Sequence, residues 1–152
     1  RACAMSGRSI DDEAGLRALL ASMRRVAVLG IKTEQQSNQP AYYVPAYLAA
    51  AGVEVIPVPV YYPEATEILG RAVVRRVADA PGPVDVVDVF RRPEDLMAHL
   101  DDIAAAKPRA VWLQSGIRHD GFADALRARE IDVVQDRCLM VEHRRLAGVS
   151  RR

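Results

Sequence analysis

The sequence predicts an α/β fold, a single Rossmann-like, doubly wound parallel sheet of five strands. Three observations carry that prediction. Short apolar runs at 26–29, 53–58, 84–90, 110–114 and 132–135 alternate with segments of helical period, the pattern of successive βα units. The clearest of them, Val26–Leu29 and Ala110–Leu113, are apolar on consecutive residues, as strands covered on both faces require. The first run ends at Gly30 and opens into a polar loop, Lys32–Gln39, that holds no hydrophobic residue.

Taken in order, Ser9 and Asp12 have the spacing of a capping box, with Asp in the place of Glu or Gln. Leu16, Leu19, Leu20 and Met23 then recur at helical spacing, so residues 10–24 read as an amphipathic helix. Val26–Leu29 is the first strand. The next helix is expected to begin near Ala41–Val44, because Pro45 is tolerated only in a first turn, and to end at Gly52. Val53–Val58 is the second strand, closed by Pro57 and Pro59. Tyr61–Gly70 reads as irregular or as one short helix, and Arg71–Asp79 as a short excursion. Val84–Phe90 is the third strand. Pro93 opens a helix with Leu96, Met97, Leu100 and Ile103 on one face. Ala110–Gln114 is the fourth strand, 120–129 a helix, Asp132–Gln135 the fifth strand, and Leu139–Leu146 a last helical stretch. Right-handed crossovers leave few topologies, and the strand order 3-2-1-4-5 is expected. Residues 1–8 read as a flexible N-terminal segment, 9–146 as the domain and 147–152 as a C-terminal tail.

A chain of 152 residues builds a core without disulfide or metal staples. With 50% hydrophobic residues and a net charge of +1, it lacks the basic excess that nucleic acid or an anionic membrane would select. The arginine pairs read as solvated surface. Cys3 and Cys138 have neither metal-ligand nor disulfide-framework spacing. No apolar stretch approaches the roughly 20 residues that cross a bilayer, and Arg1–Gly7 lacks the apolar core of a signal peptide. A cytoplasmic location is expected.

In such a sheet, ligands bind beyond the carboxyl ends of the strands, here expected at the switch between the first and fourth. Gly30 with its loop, Val58-Pro59, Phe90-Arg91-Arg92 and Gln114-Ser115-Gly116 all fall on that edge. The loop leads into a helix N-terminus, whose free N–H groups and dipole favour a phosphate. Lys32 adds a positive charge, Thr33, Ser37 and Asn38 add side-chain donors, and Gly30 lets the backbone approach a bulky anion. A nicotinamide dinucleotide does not fit. Gly30 is the only glycine between Gly15 and Gly52, no acid ends the second strand, and Walker A spacing is absent. Cys138, Asp136 and His143 invite a nucleophilic reading, but a spacing of i to i+5 does not put the Cys and the His on one helix face. Asp85 and Asp88 point to opposite faces of a strand and form no carboxylate pair. No catalytic residue and no metal site is expected. Trp112 is assigned to the core and His119 to a solvated loop.

Three stretches carry a family resemblance. They are Val26–Gly30 with its polar loop, Pro40 and Tyr43-Val44; Val84–Pro93; and Val111–Arg118 together with Val133–His143. From about residue 10 to 146 the chain resembles the small, stand-alone CoA-binding proteins of bacteria and archaea, whose fold is shared with the CoA-binding domain of succinyl-CoA synthetase. The resemblance implies coenzyme A as the ligand, with the pyrophosphate on the Gly30 loop and the adenosine between the ends of the second and third strands. Arg91 and Arg92 are then the candidates for an extra phosphate, which a guanidinium binds bidentately. Phe90 would pack on the adenine, Gln114, Ser115 and Gly116 would line the switch point, and Tyr43 is a further cofactor-binding candidate. Where that family usually has Val-Asn-Pro after its second strand, this chain reads Val58-Pro59 and then Val60-Tyr61-Tyr62-Pro63, so the Asn contact is missing. The expected function is binding of CoA or an acyl-CoA without catalysis. An acyl-CoA-dependent enzyme fragment that needs a partner subunit and a nucleotide-sensing regulatory module are the alternatives. The acyl group, any protein partner and a disulfide between Cys138 and the CoA thiol are left open.

Overall fold

A computed structural model describes residues 6–147. Most of the expected segments 1–8 and 147–152, and Cys3, lie outside the described residues. Five parallel strands form the main sheet: β1 (Arg25–Leu29) and β2 (Glu54–Val58), then, after a small antiparallel hairpin of β3 (Glu67–Ile68) and β4 (Arg71–Ala72), β5 (Val86–Val89), β6 (Ala110–Leu113) and β7 (Asp132–Val134). Helices α1 (Glu13–Ser22), α2 (Pro40–Ala50), α3 (Leu100–Ala106), α4 (Asp120–Arg127) and α5 (Leu139–Glu142) flank it.

The spatial order is β2-β1-β5-β6-β7, which in the count of sheet strands is 2-1-3-4-5. The doubly wound parallel sheet is as expected; the order 3-2-1-4-5 is corrected. Pro57 supplies the physical reason. It has no N–H to donate, so a sheet tolerates it on an edge strand and not in the middle. The Pro57 carbonyl accepts from the Val74 N–H at 3.0 Å, on the outer side of β2, and the ring nitrogen faces that same outer side. The excursion 59–85 rounds the β2 edge, where Ile68 packs in the same layer as α2, and then crosses the other face through Val77 and Val84 to deliver β5 beyond β1. The switch point therefore lies between the first and third sheet strands, β1 and β5.

Each face of the sheet has its own apolar layer. Val26, Val28, Val55, Val86 and Trp112 pack against residues of α1, α2 and α5. Ala27, Leu29, Ile56, Val87 and Val111 pack against Leu96, Ile103, Phe122 and Leu126. Trp112 is fully buried and spends its polar atom on the Arg137 carbonyl, 2.8 Å away.

Local differences from expectation have local causes. Ile10 is drawn against β7, its N–H donating to the Val133 carbonyl at 2.9 Å, so α1 starts later and its cap is Asp12, which accepts from the Gly15 N–H. Residues 93–99 form two tight 3₁₀ turns before α3. Leu96, Leu100 and Ile103 face the core as expected, while Met97 is exposed. His119 is not a free loop residue; its Nδ1 caps α4 by accepting from the Phe122 N–H at 3.0 Å.

Pro45 lies inside α2 rather than in its first turn. A proline there cannot bond the carbonyl four residues back, which is that of Ala41. That carbonyl instead accepts from the Lys32 N–H at 3.1 Å. The helix defect is thus the anchor of the loop that follows β1.

Candidate functional site

A crevice of about 660 Å³ opens over the β1/β5 switch point and runs on past β6 to the start of α5. That size lies in the range of small-molecule sites. Lys32 and the first turn of α2 form one wall, and Phe90–Pro93 after β5 the second. Gln114–Ile117 after β6 and the segment around Cys138–Val141 complete it.

Gly30 brings the first two walls together. Its φ is +88°, and a Cβ there would stand 2.3 Å from the Phe90 carbonyl oxygen. Only glycine permits the ends of β1 and β5 to meet so closely. The Gly30 N–H donates to the Val58 carbonyl at 2.8 Å, so Val58 serves the turn through its backbone.

The charge of the crevice is one-sided. Lys32, Arg91 and Arg92 line it, and no carboxylate does so among the described residues. The N-terminus of α2 adds its dipole, since Gln39 offers no side-chain cap. Arg91 is largely buried and held from several sides. Its Nε–H donates to His99 Nε2 at 3.2 Å, and its guanidinium lies 3.6 Å from Asp95 and 5.7 Å from the centre of the Tyr61 ring. Burial, and then the Arg91 charge, hold the His99 imidazole below its usual pKa, in keeping with a neutral ring that accepts at Nε2. Arg92 is more exposed and pairs with Asp95 and Glu94.

Beneath the crevice sits a carboxyl that sequence reading placed only on a strand face. Asp88 is fully buried; it accepts from the Gln114 side-chain amide through Oδ1, while Oδ2 has no partner. Burial pushes its pKa up to about 7, against the opposing pull of the Gln114 hydrogen bond. Gln114 in turn accepts weakly from the Leu139 N–H, at 3.4 Å. The polar end of an otherwise apolar strand therefore links the central strand to α5.

Eight of the sequence-expected site residues line the crevice: Lys32, Tyr43, Phe90, Arg91, Arg92, Gln114, Ser115 and Gly116. Gly30 shapes it from behind. Val58 and Pro59 are buried and do not line it. Thr33 turns the other way. Its hydroxyl bonds Gln36 Oε1 at 2.7 Å, and it borders a second hollow carrying Glu34, Glu64 and Glu67, a poor setting for phosphate. Ser37 and Asn38 are exposed and stand outside both hollows. The nucleophile–base–acid reading of Cys138, His143 and Asp136 meets other bonds. His143 Nδ1 is 2.8 Å from the Tyr47 hydroxyl, and Asp136 accepts from the Gly116 N–H at 2.7 Å.

Residues 24–144 match the family model described as a CoA binding domain. The chain belongs to the CoA-binding domain family. YneT of Bacillus subtilis (strain 168) is 28% identical over 131 residues, which cover 86% of this chain and 93% of that one. The Thermus thermophilus structure of cell-free ID.343 matches with a TM-score of 0.82 and 46% identity, covering 90% of this chain and 99% of its own. A dinucleotide-forming acetyl-coenzyme A synthetase of Ca. Korarchaeum cryptofilum matches with a TM-score of 0.63 over 78% of this chain and 27% of its own. At 20% identity that likeness is one of fold.

For a CoA-binding domain, several residues of the crevice went unread in the sequence. Gln39–Ala41 and Pro93 flank residues already singled out, so only their inclusion is new. Ile117, Met140 and Val141 are apolar residues, which the search for polar groups on the sheet edge passed over. Tyr61 and His99 reach the site through Arg91. Among the described residues, no helix is long and apolar enough to cross a membrane.

Proposed function

We propose that this chain binds coenzyme A in the switch-point crevice, phosphates toward Lys32, Arg91 and Arg92, and carries out no chemistry of its own. One observation carries the reading: a crevice with three basic side chains and no lining carboxylate among the described residues, at the carboxyl ends of parallel strands, beside a helix N-terminus. The Gly30 turn suits such a ligand, because an added Cβ would strike the Phe90 carbonyl and shift the ends that line the crevice. Arg91 is orientated before any ligand arrives, which lowers the entropy cost of binding. Membership of the CoA-binding domain family names the anion. The engagement of His143 by Tyr47 and of Asp136 by Gly116 supports a binding role rather than catalysis.

Calorimetric titration with CoA, NAD and ATP tests it. CoA alone is expected to give saturable heat, and none at millimolar CoA overturns the reading. A second reading, a binding module of an acyl-CoA enzyme whose other part lies elsewhere, is favoured by the likeness of fold to one part of a synthetase chain. Free thiol released from acetyl-CoA by this chain alone would count against a purely binding role.

A further inference from the structure

The crevice has two ends of different chemistry, and the nucleotide reading uses only one. β1 and β5 bring Lys32, Arg91 and Arg92 to the first end. The loop after β6 and the start of α5 bring Ile117, Cys138, Met140 and Val141 to the second. α5 packs against α2. Tyr43 also lines the crevice, from α2. Tyr43 and Val141 are 41% and 46% exposed, two of the large apolar side chains this chain leaves open to solvent. Exposed apolar groups gathered in one hollow mark a site for an apolar occupant. Charge begins just beyond it: Arg144 reaches the Met140 sulfur at 3.6 Å, and Arg118 and Arg137 line an adjoining hollow that shares Cys138 and Val141 with the crevice.

We infer that the second end seats the acyl group of a CoA thioester, so that the preferred ligand is an acyl-CoA with an apolar chain and free CoA binds more weakly. The inference rests on the nucleotide reading above. Phosphates held at the basic end leave the pantetheine arm to run along the crevice, and whatever the sulfur carries arrives between Ile117, Met140 and Val141. The charge pattern commits to this occupant over a second protein copy: one molecule with anionic phosphates at one end and an alkyl chain at the other satisfies both ends at once.

The test is calorimetric titration of the full chain with CoA and with acetyl-, butyryl- and hexanoyl-CoA, on the parent protein and on Val141→Asp and Met140→Ser. A fully buried methylene strengthens binding about fourfold; at a half-open wall, roughly a ten- to hundredfold gain is expected from acetyl- to hexanoyl-CoA. In either variant the ratio of hexanoyl- to acetyl-CoA affinity is expected to collapse toward one. Saturable CoA binding with no dependence on chain length overturns the acyl seat and leaves the nucleotide site standing. A doubled mass in size-exclusion chromatography without that dependence overturns it in favour of a second copy. Failure of every CoA species to bind removes the nucleotide reading and the seat together.

Discussion

Replacing Gly30 by Ala tests whether the close approach of β1 and β5 is what the fold requires of this position. Two costs are separable. The first is conformational, since φ is +88° at Gly30 and an L-residue pays about 1–2 kcal/mol for left-handed backbone. The second is steric. The new Cβ would lie 2.3 Å from the Phe90 oxygen and 3.1 Å from its carbonyl carbon, a clash with backbone that no side-chain rotation relieves. Overpacking of that kind costs about 1–3 kcal/mol, and losing the Gly30–Val58 hydrogen bond adds about 1 kcal/mol. Gly52→Ala is the control: φ there is +95° with nothing within 4 Å of the new atom, so it carries the first cost alone. Both substitutions stiffen the unfolded chain alike, and that contribution cancels in the difference. The gap between the variants is therefore about 2–4 kcal/mol, or roughly 4–16 °C in Tm for a chain of this length. Thermal unfolding followed by circular dichroism measures it. Titration with CoA is expected to show affinity retained in Gly52→Ala and lost by at least about tenfold in Gly30→Ala, the size of one or two charge-assisted hydrogen bonds. Two variants that melt within a degree of each other would refute the steric account.

Arg91→Ala is expected to weaken CoA binding by about 10- to 100-fold and the more exposed Arg92→Ala by less, because charge-assisted hydrogen bonds are worth about 1.5–3 kcal/mol; equal losses would argue against the orientating roles of His99 and Asp95. Asp88→Asn is expected to abolish one pH dependence of stability. With a folded pKa raised to about 7 against an unfolded value of about 3.9, the parent's extra stability is fully present below about pH 4 and is lost as the pH rises through 7, a fall of roughly 4 kcal/mol. The variant should lack that fall and be the more stable of the two at pH 8, and a parent-to-variant stability difference that stays constant from pH 5 to 8 in urea unfolding would contradict the burial account. Pro45→Ala restores an N–H that competes for the Ala41 carbonyl, so the Lys32 N–H loses its acceptor; CoA affinity is expected to drop about fivefold for one hydrogen bond near 1 kcal/mol, and an unchanged Kd would sever the link between helix and loop.

The alternation of strands and helices was legible because a sheet buried on both faces imposes apolar runs on the residues that form it. The crevice was partly legible for a related reason. Parallel strands end on one edge, so Gly30, Phe90–Arg92 and Gln114–Gly116 had to gather there whatever the strand order. The direction of side chains within a loop was not legible. Thr33, Ser37 and Asn38 are polar, yet one 3₁₀ turn folds the Thr33 hydroxyl onto Gln36 and leaves the other two in solvent. The Asp88–Gln114 contact was hidden too. It depends on the register that sets Asp88 beside Trp112, a pairing with no local trace in either segment.

The two prolines show where the sequence held more than was read from it. Pro57 was taken as punctuation at the end of the second strand, and Pro45 as a first-turn residue. Each is better treated as a missing donor with a known direction. A strand that contains proline must turn that residue's outer side away from any partner, which makes the second strand an edge and rules out 3-2-1-4-5 before any contact is known. A helix that contains proline must release the carbonyl four residues earlier, and a buried carbonyl requires a donor from some other segment. In this chain the Ala41 carbonyl faces the loop between β1 and α2, and the Lys32 N–H supplies the bond. The position of the loop after β1 thus follows from a helix defect at Pro45, 13 residues after Lys32, which is why loop polarity alone named Lys32 but could not say what holds it in place.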